Sequence, residues 1–159
     1  MSPNPWDVYT PSYFHEEEFR GWARLLDPVL LVRLDAFRGA WGKPVTISPV
    51  DGAIGREDDS GSQHNFSRWK MVRAVDVLPG GIKTQWDLER AQKVAIGAGF
   101  TGVGVYPHWR PTPGLHLDVR RSNAPGAPAL WGGIRPDRDQ PQQLVSAEAA
   151  LAAFTEAPA

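Results

Sequence analysis

One short run constrains the fold more than any other: Leu115-His116-Leu117-Asp118-Val119-Arg120. Apolar and polar residues alternate strictly through it, the period of a β-strand whose two faces meet different surroundings. Leu115, Leu117 and Val119 share the face that packs on a core. His116, Asp118 and Arg120 share the other, a row of groups able to bind or to orient. A solvated edge strand with an incidental His–Asp pair has the same alternation, so the row alone does not decide for a site.

A second run narrows the choice. Ala74-Val75-Asp76-Val77-Leu78 is apolar on both faces and reads as a buried strand with a carboxylate at its centre. A buried carboxylate is costly unless it is paired or bound to metal. Arg56, Arg73 and Arg120 are the candidates for an ion pair. The chain has no cysteine, so a metal would need His, Asp or Glu. The four histidines are His15, His64, His108 and His116. His64 ends a Gly/Asp-rich stretch, Asp51 to Gly61, that reads as loop. Two histidines and an aspartate suit zinc, leaving a fourth position for water, whose pKa zinc lowers to about 7.

The 159 residues fit one domain. A helix is predicted over Glu16 to Arg24. A second starts at Asp27-Pro28, carries Leu30, Leu31, Leu34, Phe37 and Trp41 at helical spacing, and stops at Gly42. Val45 to Ser48 reads as a strand, Arg73 to Leu78 as another. Thr84, with Asp87 completing a capping box, opens a third helix that Gly99 ends. Strands follow at Thr101 to Tyr106 and Leu115 to Arg120. The sum predicts an α+β fold with a small, mainly antiparallel sheet and flanking helices. Residues 1–12 read as an N-terminal arm and 13–132 as the domain. The Pro-, Ala- and Gln-rich residues 133–159 read as a tail or docking arm, with a short helix within Val145 to Phe154.

Net charge is −1, with no concentrated basic face, so no nucleic-acid partner is expected. No apolar run is long enough for a membrane span. Met1 to Asp7 lacks the pattern of a signal peptide, which predicts synthesis in a bacterial cytoplasm.

Ser62-Gln63-His64, Ala74-Val75-Asp76-Val77 and His116-Leu117-Asp118-Val119-Arg120 occur in an order that resembles the zinc-dependent D-Ala-D-Ala carboxypeptidase family of peptidoglycan peptidases. That family shows Ser-x-His, Ala-x-Asp on a strand, then His-x-Asp or His-x-His on a later strand. The flanks are similar too: Tyr13-Phe14 with Glu18-Phe19, Leu34 to Arg38, Gly42 to Ser48, Gly99 to Pro107 and Trp131-Gly132. The resemblance spans about Tyr13 to Gly132 and is nearest the short, phage-associated branch. It implies a hedgehog-like zinc-peptidase fold, with His64, Asp76 and His116 as zinc ligands. It also implies Asp118 as general base or as a group orienting a ligand, and Arg56 and Arg120 at the substrate. The substrate class it implies is the peptidoglycan stem peptide. The resemblance further implies a product released at lysis or carried in a virion.

Three departures touch binding and chemistry. The spacer between His64 and Asp76 is eleven residues, where relatives commonly have about six, and a flexible loop tolerates such an insertion. The Ser-Gly-Tyr-Arg turn of the family is Ser48-Pro49-Val50-Asp51 here, and Arg56 is the candidate to replace its arginine. The acidic residue three positions before the last ligand is Pro113. A second expectation therefore stands beside the enzyme: a peptidase-like domain kept as a virion or tail component, meeting neighbouring proteins through its termini and the Phe66–Lys70 loop.

Overall fold

A computed structural model describes residues 3–155. In chain order its elements are α1 (Pro5–Val8), α2 (Pro28–Trp41), β1 (Val45–Ile47), α3 (Phe66–Trp69), β2 (Ala74–Pro79), α4 (Gln85–Gly97), β3 (Gly102–Tyr106), β4 (Gly114–Asp118), β5 (Ala129–Ile134), β6 (Gln143–Val145) and α5 (Ala147–Ala152). Local signals act where the sequence predicts them. The Asp27 carboxylate accepts from the Val29 N–H at 2.9 Å and Pro28 takes the first helical position of α2. Gly42 ends that helix in the left-handed region, at φ 74°. Thr84 and Asp87 form the capping box of α4.

Glu16 to Arg24 departs from the single helix expected. It forms two 3-10 turns, Glu16–Phe19 and Ala23–Leu25, separated by Arg20 and Gly21, both at positive φ. A long-range pull outweighs local helical preference here. The Arg20 guanidinium donates to the carbonyls of Ile47 and Ser48 at 3.3 and 2.7 Å, while Phe19 is fully buried.

The six strands form one sheet in the order β1-β2-β4-β3-β5-β6. Every neighbouring pair is antiparallel except β3 and β5, which run parallel. The architecture is α+β, with a mainly antiparallel sheet and flanking helices. Val75, Val77, Val103, Val105, Leu115 and Leu117 join the buried residues of α2, α4 and α5 in one core. The alternation of a strand then sends Asp76, Gly104, His116 and Trp131 to the opposite face. Register places these four on one rung across β2, β4, β3 and β5. β4 lies between β2 and β3, so its polar row is in the middle of the sheet rather than at an edge.

The described segments near both termini pack on this frame. Trp6 donates its indole N–H to the Ala23 carbonyl at 2.9 Å. Asp35, buried in α2, accepts from the Tyr9 hydroxyl at 2.6 Å and from the Ser12 and Tyr13 N–H groups at 3.0 and 2.9 Å. β5 runs through the boundary placed between residues 132 and 133. β6 pairs with it, and α5 buries Ala147, Ala150 and Leu151. The segment read as a tail thus supplies an edge strand and a core helix, while residues 1–2 and 156–159 lie outside the described residues. No described helix is long and apolar enough to cross a membrane.

A Cβ at Gly132 would meet the Ala150 Cβ at 2.3 Å. Gly→Ala in an open strand position stabilises slightly, so the sign of the effect reports on docking of α5. Gly132→Ala is expected to destabilise by about 1–3 kcal/mol through overpacking, read as a fall in denaturation midpoint. A neutral or stabilising result would detach α5 from β5.

Candidate metal centre

Three side chains from three separate parts of the chain meet on the open face of the sheet. Asp76 and His116 are cross-strand partners on β2 and β4. His64 arrives from the loop between β1 and α3. That loop is held by its own backbone: Arg56 N–H donates to the His64 carbonyl at 2.9 Å and Phe66 N–H to the Arg56 carbonyl at 2.8 Å. The long spacer between His64 and Asp76 is absorbed by α3, one helical turn ending at Lys70 in the left-handed region. Trp69 then ties that turn back through its indole N–H to the Ser62 carbonyl at 2.9 Å. The Arg68 and Arg73 guanidinium groups lie over the Trp69 ring at 4.9 and 4.4 Å. The Phe66–Lys70 loop is therefore partly spent on internal contacts.

The ligand atoms form a nearly equilateral triangle. His64 Nε2 is 3.2 Å from Asp76 Oδ1 and 3.2 Å from His116 Nδ1, and His116 Nδ1 is 3.1 Å from Asp76 Oδ1. Bonds of about 2.0–2.1 Å at tetrahedral angles would separate ligand atoms by about 3.3 Å. The triangle fits such an ion, and all three residues are buried. The donor set, two imidazole nitrogens and one carboxylate oxygen, suits zinc and other divalent first-row metals. The buried His64–Asp76–His116 group can hold a metal ion.

Both imidazoles are aimed by the partner of the other ring nitrogen. His64 Nδ1–H donates to the Ile54 carbonyl at 2.7 Å, leaving Nε2 for the cluster. His116 Nε2–H donates to Asp118 Oδ2 at 2.8 Å, leaving Nδ1 for the cluster. Asp118 is fully buried and also accepts from Arg120 through the backbone N–H at 3.0 Å, Nε at 2.9 Å and the terminal nitrogen at 2.6 Å. Space for it comes from the neighbouring strand, because a Cβ at Gly102 would meet its carboxylate at 2.3 Å. Of the two roles implied for Asp118, the geometry is that of the orienting group. Asp118 sits behind His116, its oxygens taken by His116 and Arg120, and is not among the residues lining the cavity.

The cluster opens on a cavity of about 450 Å³. Arg56 and Arg120, implied at the substrate, both line it. Arg120 is pinned by Asp118 and lies over the Trp131 ring at 4.7 Å, whereas Arg56 Nε donates to the Gly52 carbonyl at 2.9 Å. Further lining residues that the sequence did not mark as site residues include Tyr106, Trp109, Trp131 and Gln142. Tyr106 accepts from the Trp131 indole N–H at 2.9 Å and stacks on Trp109 with ring centroids 4.1 Å apart. Alternation through Gly102-Val103-Gly104-Val105-Tyr106 was a usable signal for Tyr106, since it shares the face of the two glycines. Trp131 and Gln142 depend on the parallel pairing of β5, which leaves no local trace. His15 and His108 stand apart from the cluster. His15 opens a 3-10 turn, its N–H donating to Glu18 at 2.8 Å. His108 Nδ1 accepts from the Arg135 N–H at 2.8 Å and its Nε2–H donates to the Ala153 carbonyl at 3.1 Å.

Charge follows geometry. Burial acts to raise the Asp76 carboxyl, but hydrogen bonds and charge from His116 and His64 hold it down at about 2. Burial likewise acts to raise Asp118, and Arg120 and His116 keep it well below the usual carboxylate range. Burial acts to lower His116, yet Asp118 and Asp76 push it up to about 9. In the metal-free protein His116 is therefore protonated at neutral pH, with Nδ1–H directed at Asp76. Its raised pKa contributes stability that is complete below the ordinary value of 6.5 and is lost as pH rises through about 9.

Metal must displace that proton. Binding near pH 7.5 is expected to release about one proton per ion, measured by calorimetry in buffers of different ionisation enthalpy. Apparent affinity should rise with pH up to about 9; a flat profile between pH 6.5 and 9 would refute the protonated state. Asp118→Asn removes the anionic partner of His116 and is expected to cost about 10–100-fold in metal affinity. Competition with a chromophoric chelator reads this directly, and circular dichroism checks that the fold survives. Unchanged affinity would remove Asp118 from the orienting role.

No family model matches the chain, nor does any curated protein or solved structure.

Proposed function

We infer that the chain is a zinc-dependent peptidase acting on the peptide bridges of bacterial peptidoglycan. It would have the hedgehog-like fold of the D-Ala-D-Ala carboxypeptidases and serve as a phage endolysin or virion-associated lysin. The observation that carries this reading is the triangle of His64, Asp76 and His116, with edges of 3.1–3.2 Å, facing a cavity that two arginines also line. Zinc supplies Lewis acidity when bound, polarising a carbonyl and acidifying water. The remaining roles belong to the chain itself. Ile54 and Asp118 keep the two imidazoles in the tautomers that bind metal. Arg120, held by Asp118 and Trp131, and Arg56 offer positive charge to a substrate carboxylate or to a carbonyl oxygen gaining negative charge. The Tyr106 hydroxyl accepts from Trp131, so its own O–H is left to donate into the same cavity. Burial raises its pKa, which keeps that proton in place.

One observation favours the second reading, a peptidase-like domain with altered or lost catalysis in a virion or tail. Asp76 is the only carboxylate among the described residues lining the cavity, and it is engaged by both histidines. A separate carboxylate to carry a proton is missing from that lining.

Elemental analysis of the purified protein separates the readings. The wild type is expected to hold about one zinc per chain and the His64→Ala/His116→Ala variant none. The wild type should also release soluble peptide from purified cell walls, with that release abolished in the variant. Zinc binding without wall cleavage would transfer the domain to the second reading. Absence of zinc in a folded wild-type protein would sink the peptidase outright.

A further inference from the structure

Beside the metal cluster lies a second cavity, of about 390 Å³. Four arginines from three loops converge on it: Arg56 before α3, Arg110 between β3 and β4, and Arg135 and Arg138 between β5 and β6. It shares Arg56, Asp76, Trp109 and Gln142 with the first cavity, so the two form one groove, with the Trp109–Gln142 hydrogen bond of 2.9 Å at the junction.

The charge of this groove is unbalanced. Among the described residues its only lining carboxylate is Asp76, which His64 and His116 already hold. The ion pairs among the described residues include none of the four arginines. Overall basicity does not account for this, since 17 Lys and Arg face 18 Asp and Glu along the chain. The guanidinium groups are held in place without being neutralised, because their partners are backbone carbonyls. Arg135 donates to Gln140 at 2.9 Å and to Arg138, Arg138 donates to His108 at 3.1 Å, and Arg110 donates to Trp109 at 3.3 Å and to His108 at 3.4 Å. Each group has five N–H donors and uses only some of them. Orientation by neutral acceptors, with donors and full charge to spare, is the preparation an oxyanion site needs.

We propose that this arginine cavity binds a carboxylate of an acidic peptide whose backbone runs on to the His64–Asp76–His116 cluster. Carboxylate and phosphate share the chemistry that a guanidinium fork recognises. The peptide is chosen because the groove leads to a centre read above as amide-cleaving, and the inference rests on that reading. Arg120 shares its charge with Asp118, so it adds less to the groove than the four arginines without an ion-pair partner. The specificity of the site is then for peptides with an acidic group displaced from the reacting amide.

Binding can be read without turnover. Titration calorimetry would use a short acetylated alanine peptide carrying one aspartate and a free C-terminus, the same peptide with both carboxylates amidated, and inorganic phosphate. Each is run on zinc-loaded protein and on protein stripped with chelator. The acidic peptide is expected to bind at least about tenfold more tightly than its amide, and more weakly as salt rises. Arg135→Gln/Arg138→Gln should remove that preference while zinc content and thermal midpoint stay at wild-type values. Equal binding of acid and amide, or a preference that survives in the variant, would overturn the proposal. Phosphate binding without peptide binding would overturn the peptide assignment. Failure of zinc loading with the acid preference intact in stripped protein would strike the peptidase reading and leave the arginine site standing.

Discussion

The ring of His116 lies between two buried carboxylates, Asp118 on one nitrogen and Asp76 on the other, and much of the open face of the sheet is arranged around that contact. A carboxylate in the middle of a sheet is tolerated only when its lone pairs are filled. Asp118 solves this with Arg120 and His116, and Asp76 with His116 and His64. The same bonds that make burial tolerable also fix ring orientation. Stability and metal competence are thus two readings of one hydrogen-bonded chain, running from Arg120 through Asp118 and His116 to Asp76.

The strand beside His116 makes room for this chain. Gly104 stands opposite His116 and Gly102 opposite Asp118. A Cβ at Gly104 would come within 2.8 Å of the Trp131 and Tyr106 rings, and one at Gly102 within 2.3 Å of Asp118. The glycines of β3 let neighbouring side chains fold across the strand, and the valines between them pack the core on its other face. Glycine weakens a strand, and here the cost is offset by the wall it allows: Trp131 over Gly104, with Arg120 over Trp131.

Much of this was legible in the residues. Alternation through Leu115 to Arg120 marked a strand with a polar face, and the lone aspartate in Ala74 to Leu78 marked a buried charge in want of partners. The capping residues Asp27 and Thr84 placed the two long helices. Other features were not legible, for identifiable reasons. Arg20 breaks a helical stretch because its partners are carbonyls at the end of β1 and just beyond it, far along the chain. β6 is three residues in a Pro- and Gln-rich segment, and its pairing with β5 is set by tertiary contact rather than by propensity. Asp118 was assigned two roles because sequence gives the face of a strand but not which neighbours already occupy its oxygens.

The position of β5 has a consequence for how the molecule is made. The three residues that can hold a metal lie within the first 116 residues, on strands that pair with each other antiparallel or on a loop bound to them. Trp131 and Gln142, which close the cavity, come afterwards, and β5 must dock parallel to a strand already in place. Emerging in order from the ribosome, the chain assembles its charged centre first and its walls last. Until residues 129–145 have docked, the His64–Asp76–His116 group stands without the walls that enclose it.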